Sequence, residues 1–510
     1  MPTAINSRRL RWAQIGAAQD FSGGPNLRDA PSELAPNEAE DSWNVIYDER
    51  GGAASRLGYA KRNNTPFSGG LVQNEFWSPL LAAWITQAGS SLYLADVNTA
   101  RKTFTTGARV AFAELGTHVI AAHPVDGLFT STDGVTWTVV ADADAPTTGI
   151  RCLAVWQTKL WCGLDDGSVH WSNIGDPTAW TSTDFNKLWE KDSQGIVALH
   201  VGSGQDILGQ AGLLAFKQES VYRIDDSSTG NYTTVDASVG AAGPLAVDGV
   251  GAKVIWLSKH GVYWWADGVV GAQNGTADRF LPLWNGNQLN LSQQSLWCAG
   301  RKGTRMVFSL TTSGQTANDL SFEYHPDQGW LAPGSNAMSC YATQTGSGDA
   351  VSGGSPSVSG QVYTLDSGGT DDGAAIDWRF QTRWFNVAGD FYANVWRLVA
   401  LIRGAGTLTI LKDFVTSGVD RPFDTTATAN TYDSGDRYDS GLFYDVAAEF
   451  QTPVKFHSVG RCRYLSFKFS GSSTTTAAGS TLLNGTVAPA VGSFGLFGLM
   501  YGYWWQGFAA

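Results

Sequence analysis

Residues 159–171 read KLWCGLDDGSVHW. Two apolar runs, Lys159-Leu160-Trp161-Cys162 and Val169-His170-Trp171, flank the triplet Asp165-Asp166-Gly167. Short runs rich in aromatic and β-branched residues, broken by Asp and Gly, read as the two strands of a hairpin. Gly and Asp tolerate the positive φ that a tight reversal needs.

The same form recurs on both sides. Upstream, Trp84-Ile85-Thr86 is followed by Leu92-Tyr93-Leu94, and Val119-Ile120-Ala121-Ala122 by Leu128-Phe129-Thr130. Downstream, Leu213 to Phe216 runs to Val221 to Ile224, Val254 to Leu257 to Val262 to Trp264, and Met306 to Ser309 to Leu320 to Tyr324. The turns include Pro124-Val125-Asp126-Gly127, Gln218-Glu219 and Lys259-His260-Gly261. The spacing of about 40–55 residues is the length of one four-stranded propeller blade. No long amphipathic pattern interrupts the hairpins, which argues against βαβ units. The expected fold is all-β: a β-propeller of about five to seven blades over 63–370, an extended N-terminal arm over 1–62 and a C-terminal β-domain over 371–510. Stacked β-sandwiches are the alternative, but one repeated period suits radial blades better than Greek keys.

Composition agrees. The 510 residues are 43% apolar and only 16% charged, with 21 Trp, 24 Phe, 16 Tyr and 60 Gly. That is the balance of a packed β protein with many turns. The net charge of −12 argues against a protein that grips nucleic acid by its phosphates. It is compatible with a wall that DNA slides past. Five widely spaced cysteines, Cys152, Cys162, Cys298, Cys340 and Cys462, form no Cys-x-x-Cys pair and read as buried free thiols. The start, MPTAINSRRLRWAQIG, lacks the apolar core of a signal peptide, and Arg8, Arg9 and Arg11 read as a solvated basic arm.

The C-terminal block changes character after the loop DSGGTDDGA, residues 366–374. Ile376 to Asn386 and Arg463 to Phe469 alternate apolar with polar residues, as half-exposed strands do, and Val395 to Ala400 and Thr407 to Leu411 add two more. Asp366, Asp371 and Asp372 are candidate Ca²⁺ ligands but lack the ligand spacing of a known loop, so no metal is expected. Residues 469–510 carry no charge. Glycines break the terminal run, and it has no basic flank, so it reads as a closing strand with an aromatic tip (Trp504, Trp505, Phe508) rather than a membrane span.

Residues 21–59 read FSGGPNLRDAPSELAPNEAEDSWNVIYDERGGAASRLGY. Turn-formers dominate, yet Leu27, Leu34, Trp43, Ile46 and Tyr59 are apolar anchors that a free linker would waste. Ser32 or Asn37 is placed to N-cap a short helix through Glu38, Ala39, Asp41, Ser42 and Trp43, followed by a strand at Val45-Ile46-Tyr47. This run resembles the N-terminal signature of the tail nozzle, or packaged-DNA stabilisation, proteins of short-tailed bacteriophages. The matching positions are Gly23, Gly24, Asn26, Leu27, Arg28, Leu34, Pro36, Asn37, Glu38, Ala39, Asn44, Arg50, Gly51, Gly52, Arg56, Gly58 and Tyr59. The C-terminal strands are similar to that family's C-terminal β-domain, and the propeller resembles it in pattern only.

The resemblance implies a structural virion protein, assembled in the host cytoplasm and located in the tail. It would form a homohexameric ring beneath an adaptor ring and portal, closing the DNA channel until ejection. The implied partners are copies of itself, the adaptor, a tail fibre or tailspike protein, and double-stranded DNA passing without sequence-specific contact. The aromatic tip would suit a further contact with the host envelope.

Two local motifs bear on alternatives. Ser131-Thr132-Asp133-Gly134-Val135-Thr136-Trp137 resembles a shortened Asp-box, with Ser131, Asp133, Gly134 and Trp137 as its marks. Asp-boxes occur in sialidases, so a propeller glycosidase is one alternative and a lectin-like receptor-binding module another. Residues 171–180, WSNIGDPTAW, resemble a segment common in phage propellers. Both motifs read as structural turns. No catalytic constellation is found: the histidines at 118, 123, 170, 200, 260, 325 and 457 are scattered, and there is no zinc motif, nucleophile elbow or phosphate-binding loop. The acidic pairs Asp165-Asp166, Asp225-Asp226 and Asp371-Asp372 fall in turns, whereas glycosidase chemistry needs two carboxylates converging at about 5–10 Å. The expectation is a non-enzyme without cofactor.

Overall fold

All six expected hairpins are present, each as the second and third strands of a four-stranded antiparallel sheet. The computed structural model describes residues 13–18, 20–47, 51–189, 193–202, 212–266, 269–272, 280–326, 329, 331–344, 350–387, 393–403, 405–415, 418–424, 452–473 and 495–505. Arg8, Arg9, Arg11, Arg50 and Phe508 lie outside them, as does the exposure of Trp504 and Trp505. Among the described residues, helix is confined to Leu281–Asn285, the 3₁₀ residue Phe280 before it, and a 3₁₀ segment, Leu291–Leu296.

The chain divides into two units, 58–367 and 1–57 with 368–510. The first is a β-propeller. Its six contiguous blades open with the strands Val72–Ser78, Ala111–Leu115, Ile150–Trp156, Ala198–Val201, Val247–Val250 and Cys298–Lys302. These first strands pack side by side in sequence. A further sheet closes the ring. Tyr341–Thr343, Val351–Gly354 and Val362–Leu365 supply three strands, and Tyr59–Lys61 supplies the fourth, antiparallel to Val362–Leu365. Tyr341–Thr343 then packs against Val72–Ser78 of the first blade, so the start and end of this unit are joined in one seventh blade.

Apolar cores fill the wedges between neighbouring blades. Trp161 and Trp171 of the third blade pack with Leu213 and Tyr222 of the fourth. Phe216 of the fourth meets Trp256 of the fifth, with ring centroids 5.3 Å apart. Large aromatics suit this place because blades diverge outward from the axis and leave space that small side chains would not fill. All five cysteines are free and buried, and burial pushes the Cys298 thiol up to about 12.

The second unit has two sheets. One runs in the order Val45–Tyr47, Ala53–Ser55, Gly495–Trp505, Ala393–Arg403, Thr452–Cys462, with Ala13–Ala18 also paired to Gly495–Trp505. Within the uncharged tail, Gly495–Trp505 is therefore an internal strand. The other sheet joins Glu38–Trp43, Ala374–Thr382, Tyr464–Ser473, Ala405–Lys412 and Val419–Asp424. Ala374–Thr382 buries Ile376, Trp378 and Phe380 and exposes Asp377 and Arg379, the alternation its sequence announces.

The helix expected through Glu38 to Trp43 is instead a strand. Two long-range facts override the local signal. Ala374–Thr382 offers an antiparallel ladder, irregular between Ala39 and Asp41, with Ser42 opposite Phe380 and Trp43 opposite Arg379. The Glu38 carboxylate folds back onto the preceding turn, accepting from Ala35 N at 2.8 Å and Asn26 Nδ2 at 3.1 Å. Leu27 is also no anchor: it is 42% exposed, whereas Leu34 is buried.

Candidate functional site

The signature residues form two polar knots and a hand-over. In the first knot, Gly23 N donates to Asn37 O at 3.0 Å, and a Cβ on Gly23 would lie 2.7 Å from that same oxygen. Gly24 has φ 66°, a conformation that glycine adopts at little cost. Asn26 Oδ1 caps the turn by accepting from Arg28 N and Asp29 N, while its Nδ2 reaches Asp29 and Glu38. Arg28 is exposed and pairs with Asp29 at 2.9 Å. Pro36 is exposed as well.

The second knot is centred on Arg56. Asn44 sits at φ 55° between strand Glu38–Trp43 of one sheet and Val45–Tyr47 of the other. Asn accepts this left-handed conformation more readily than most residues, and here it turns the chain from one sheet to the next. Asn44 Nδ2 donates to Asp377 O at 2.7 Å, and its Oδ1 accepts from Arg56 Nε at 2.8 Å. Arg56 then grips both oxygens of Asp371, at 2.8 and 2.5 Å. Gly51, at φ 82°, lies against Asp20, and its carbonyl accepts from Phe21 N. Gly52 is buried. Gly58 leads into the strand that completes the seventh blade, and Tyr59 begins it, packing on Tyr363 at 4.6 Å.

Just beyond the signature, Arg62 holds the ring seam. It reaches Asp96 and Glu75 of the first blade and Ser352 of the seventh, and lies over the Trp84 ring at 4.3 Å. A second ionic cluster joins Lys302 to Glu323 and Asp366, and Arg305 to Glu323. The candidate calcium carboxylates Asp366 and Asp371 thus face cations instead. Among the described residues no group of three or more metal-ligating side chains is found.

The Asp-box-like turn has the expected local geometry. Ser131 Oγ accepts from Gly134 N at 2.9 Å, Asp133 Oδ1 accepts from Val135 N and Thr136 N at 2.8 and 2.7 Å, and Trp137 Nε1 donates to Gly134 O. Those amides hold the Asp133 carboxyl down at about 2. Asp133 Oδ1 is thus engaged by its own turn. Because its folded value lies below the ordinary value near 3.9, its contribution is present above that pH and fades as pH falls through about 2. We expect a carboxyl NMR titration of Asp133 with a midpoint at about 2, and a weaker acid-range loss of stability in Asp133→Asn. A midpoint near 4 would contradict the turn geometry. In residues 171–180, Asp176 likewise caps Thr178, and buried Trp180 donates to Pro177 O.

Sequence reading missed one titratable pair. His200 and Asp248 stand on the first strands of the fourth and fifth blades, and Asp248 Oδ1 accepts from Gly249 N at 2.7 Å. Burial pushes the Asp248 carboxyl up and the His200 imidazole down. No spacing rule links two residues so far apart in sequence.

No protein-family model matches the chain, and no curated protein matches it. Solved structures similar to it include the computationally designed Ika8 protein, at 13% identity and TM-score 0.38, covering 68% of this chain and 99% of that one. The WD40 β-propeller domain of Doa1 is similar at 10% identity and TM-score 0.40, covering 61% and 97%. BamB from Moraxella catarrhalis is similar at 13% identity and TM-score 0.39, covering 63% and 90%. At this level none of them bears on function. The fold itself is all-β with a β-propeller.

Proposed function

We propose that this chain is a structural protein of a short bacteriophage tail: a nozzle that assembles as a homohexameric ring, closes the DNA channel and opens for ejection. The observation that carries the reading is the run 23–59. Its resemblance to the nozzle signature covers seventeen positions. Most described ones do internal work in the two knots and the hand-over to the seventh blade, while Leu27 and Pro36 stand exposed, available to a neighbour. A run of this kind sets architecture and assembly rather than catalysis.

The partners follow from the same reading: further copies of this chain, an adaptor ring, a tail fibre or tailspike protein, and double-stranded DNA. A net charge of −12 suits a wall past which DNA moves without adhering. Subunit contacts would hold the constriction shut, and a signal from receptor-binding proteins would release it. The glycosidase alternative draws on a single Asp-box-like turn whose carboxylate is already engaged.

The test is immunolabelling of intact particles with an antibody to this chain, viewed by negative-stain microscopy. Label at the distal end of a short tail, with gel stoichiometry matching six copies per particle, is the expected result. Label on lateral fibres, or no label on particles, would overturn the proposal.

A further inference from the structure

A small cavity of about 360 Å³ opens on the propeller between the third and fourth blades. It lies where the connection leaving Asp176–Lys187 meets the 217–220 turn, between Leu213–Phe216 and Val221–Ile224. Trp189, Gln194, Glu219, Ser220, Tyr222 and Thr234 line it. Its volume lies at the lower end of the range of about 300–1,000 Å³ usual for small-molecule sites.

Three observations point to a ligand. Trp189 is 50% exposed and sits at φ 52°, a conformation that a bulky side chain adopts only when its surroundings impose it. The surroundings do impose it. Leu188 N donates to Gly167 O, the buried Lys217 ammonium donates to Leu188 O at 2.6 Å, and Trp189 N donates to Tyr232 Oη at 2.9 Å. The indole is therefore presented to solvent on a fixed backbone. Second, Ser220 is 95% buried (5% exposed), and its hydroxyl has no hydrogen-bond partner among the described residues, a costly state that an incoming hydroxyl would relieve. Third, the lining carries one charged side chain, Glu219, already ion-paired with Lys259, and no basic residue.

We infer that this cavity binds one pyranose unit of a neutral saccharide. A sugar ring offers an apolar C–H face to stack on Trp189 and a rim of hydroxyls for Ser220, Gln194, Thr234 and the Glu219 carboxylate. A nucleotide is disfavoured, because the lining offers no lysine or arginine for its phosphate. This site stands independently of the tail proposal: a nozzle without sugar binding and a sugar-binding protein outside any tail are distinguishable results.

The experiment uses the full chain and isothermal titration with glucose-, galactose-, mannose- and N-acetylglucosamine-terminated neutral oligosaccharides. One of these should bind with Kd at or below about 1 mM. Trp189→Ala should weaken it at least tenfold, Trp189→Phe should retain part of it, and Ser220→Ala should weaken it several-fold, with far-UV circular dichroism unchanged in each. The inference is overturned if none of the set binds below about 10 mM, if Trp189→Ala binds as the parent does, or if a single-stranded oligonucleotide binds at Trp189 instead.

Discussion

Replacing Arg62 by Met should cost the propeller about 3–5 kcal/mol, the usual penalty for removing one partner of a buried ion pair. The Glu75 side chain is fully buried and the Arg62 side chain 11% exposed, so water cannot take over the lost contact. Arg62 also donates to Asp96 and lies within 2.5 Å of Ser352 Oγ, which itself donates to Glu75. Without the guanidinium, two carboxylates from the first blade are left facing one another, and the first and seventh blades lose their shared cation. Met keeps most of the side-chain volume, so the loss reads charge and hydrogen bonding rather than a cavity. Two measurements check this. Denaturant unfolding followed by tryptophan fluorescence should show the lowered midpoint. Hydrogen exchange should lose protection first in Tyr59–Lys61 and Val362–Leu365, whose pairing closes the ring. A loss below about 1 kcal/mol, or protection lost evenly over all blades, would contradict the latch role.

Much of the propeller was legible because its central hairpins are autonomous signals. Each has two apolar runs and a turn with Gly or polar residues within a short window, and no distant residue is needed to recognise them. The flanking strands were not legible for opposite reasons. Outer strands such as Lys102–Thr103 and Thr138–Val139 are two residues long and largely exposed, so they carry no periodicity. First strands such as Val247–Val250, with the sequence VDGV, do not alternate. The seventh blade was hidden by composition and by distance: Val351–Gly354 reads VSGG, and the fourth strand comes from the other end of the propeller sequence.

The signature run shows the same division. Its turns were visible as Gly, Pro and Asn, but Glu38–Trp43 took a strand conformation because its partner lies at Ala374–Thr382. The saccharide cavity had no sequence signal at all. Trp189 looks like any other tryptophan until its φ and the unpartnered Ser220 hydroxyl are seen together.

Arg56 offers the sharpest test of why the signature needs the residues it has. Its side chain is 3% exposed and that of Asp371 is 14% exposed, so the pair is largely shielded from solvent. The guanidinium makes two parallel contacts to Asp371 and a third, through Nε, to Asn44. Asn44 in turn fixes the left-handed step between the two sheets by donating to Asp377 O. Removing Arg56 therefore strips Asp371 of its counter-ion and frees the residue that turns the chain. Arg56→Met should destabilise the unit formed by 1–57 and 368–510 by about 3 kcal/mol. Arg56→Lys should recover less than half of this, because an ammonium is a point charge and cannot span both carboxylate oxygens and Asn44 at once. Combined with Asp371→Asn, the double variant should lose clearly less than the sum of the singles, with a coupling energy of about 2 kcal/mol. Additive losses would mean that Arg56 acts by packing alone. Full rescue by Lys would mean that charge without the planar fork is sufficient, and that the knot does not explain why an arginine stands at this position.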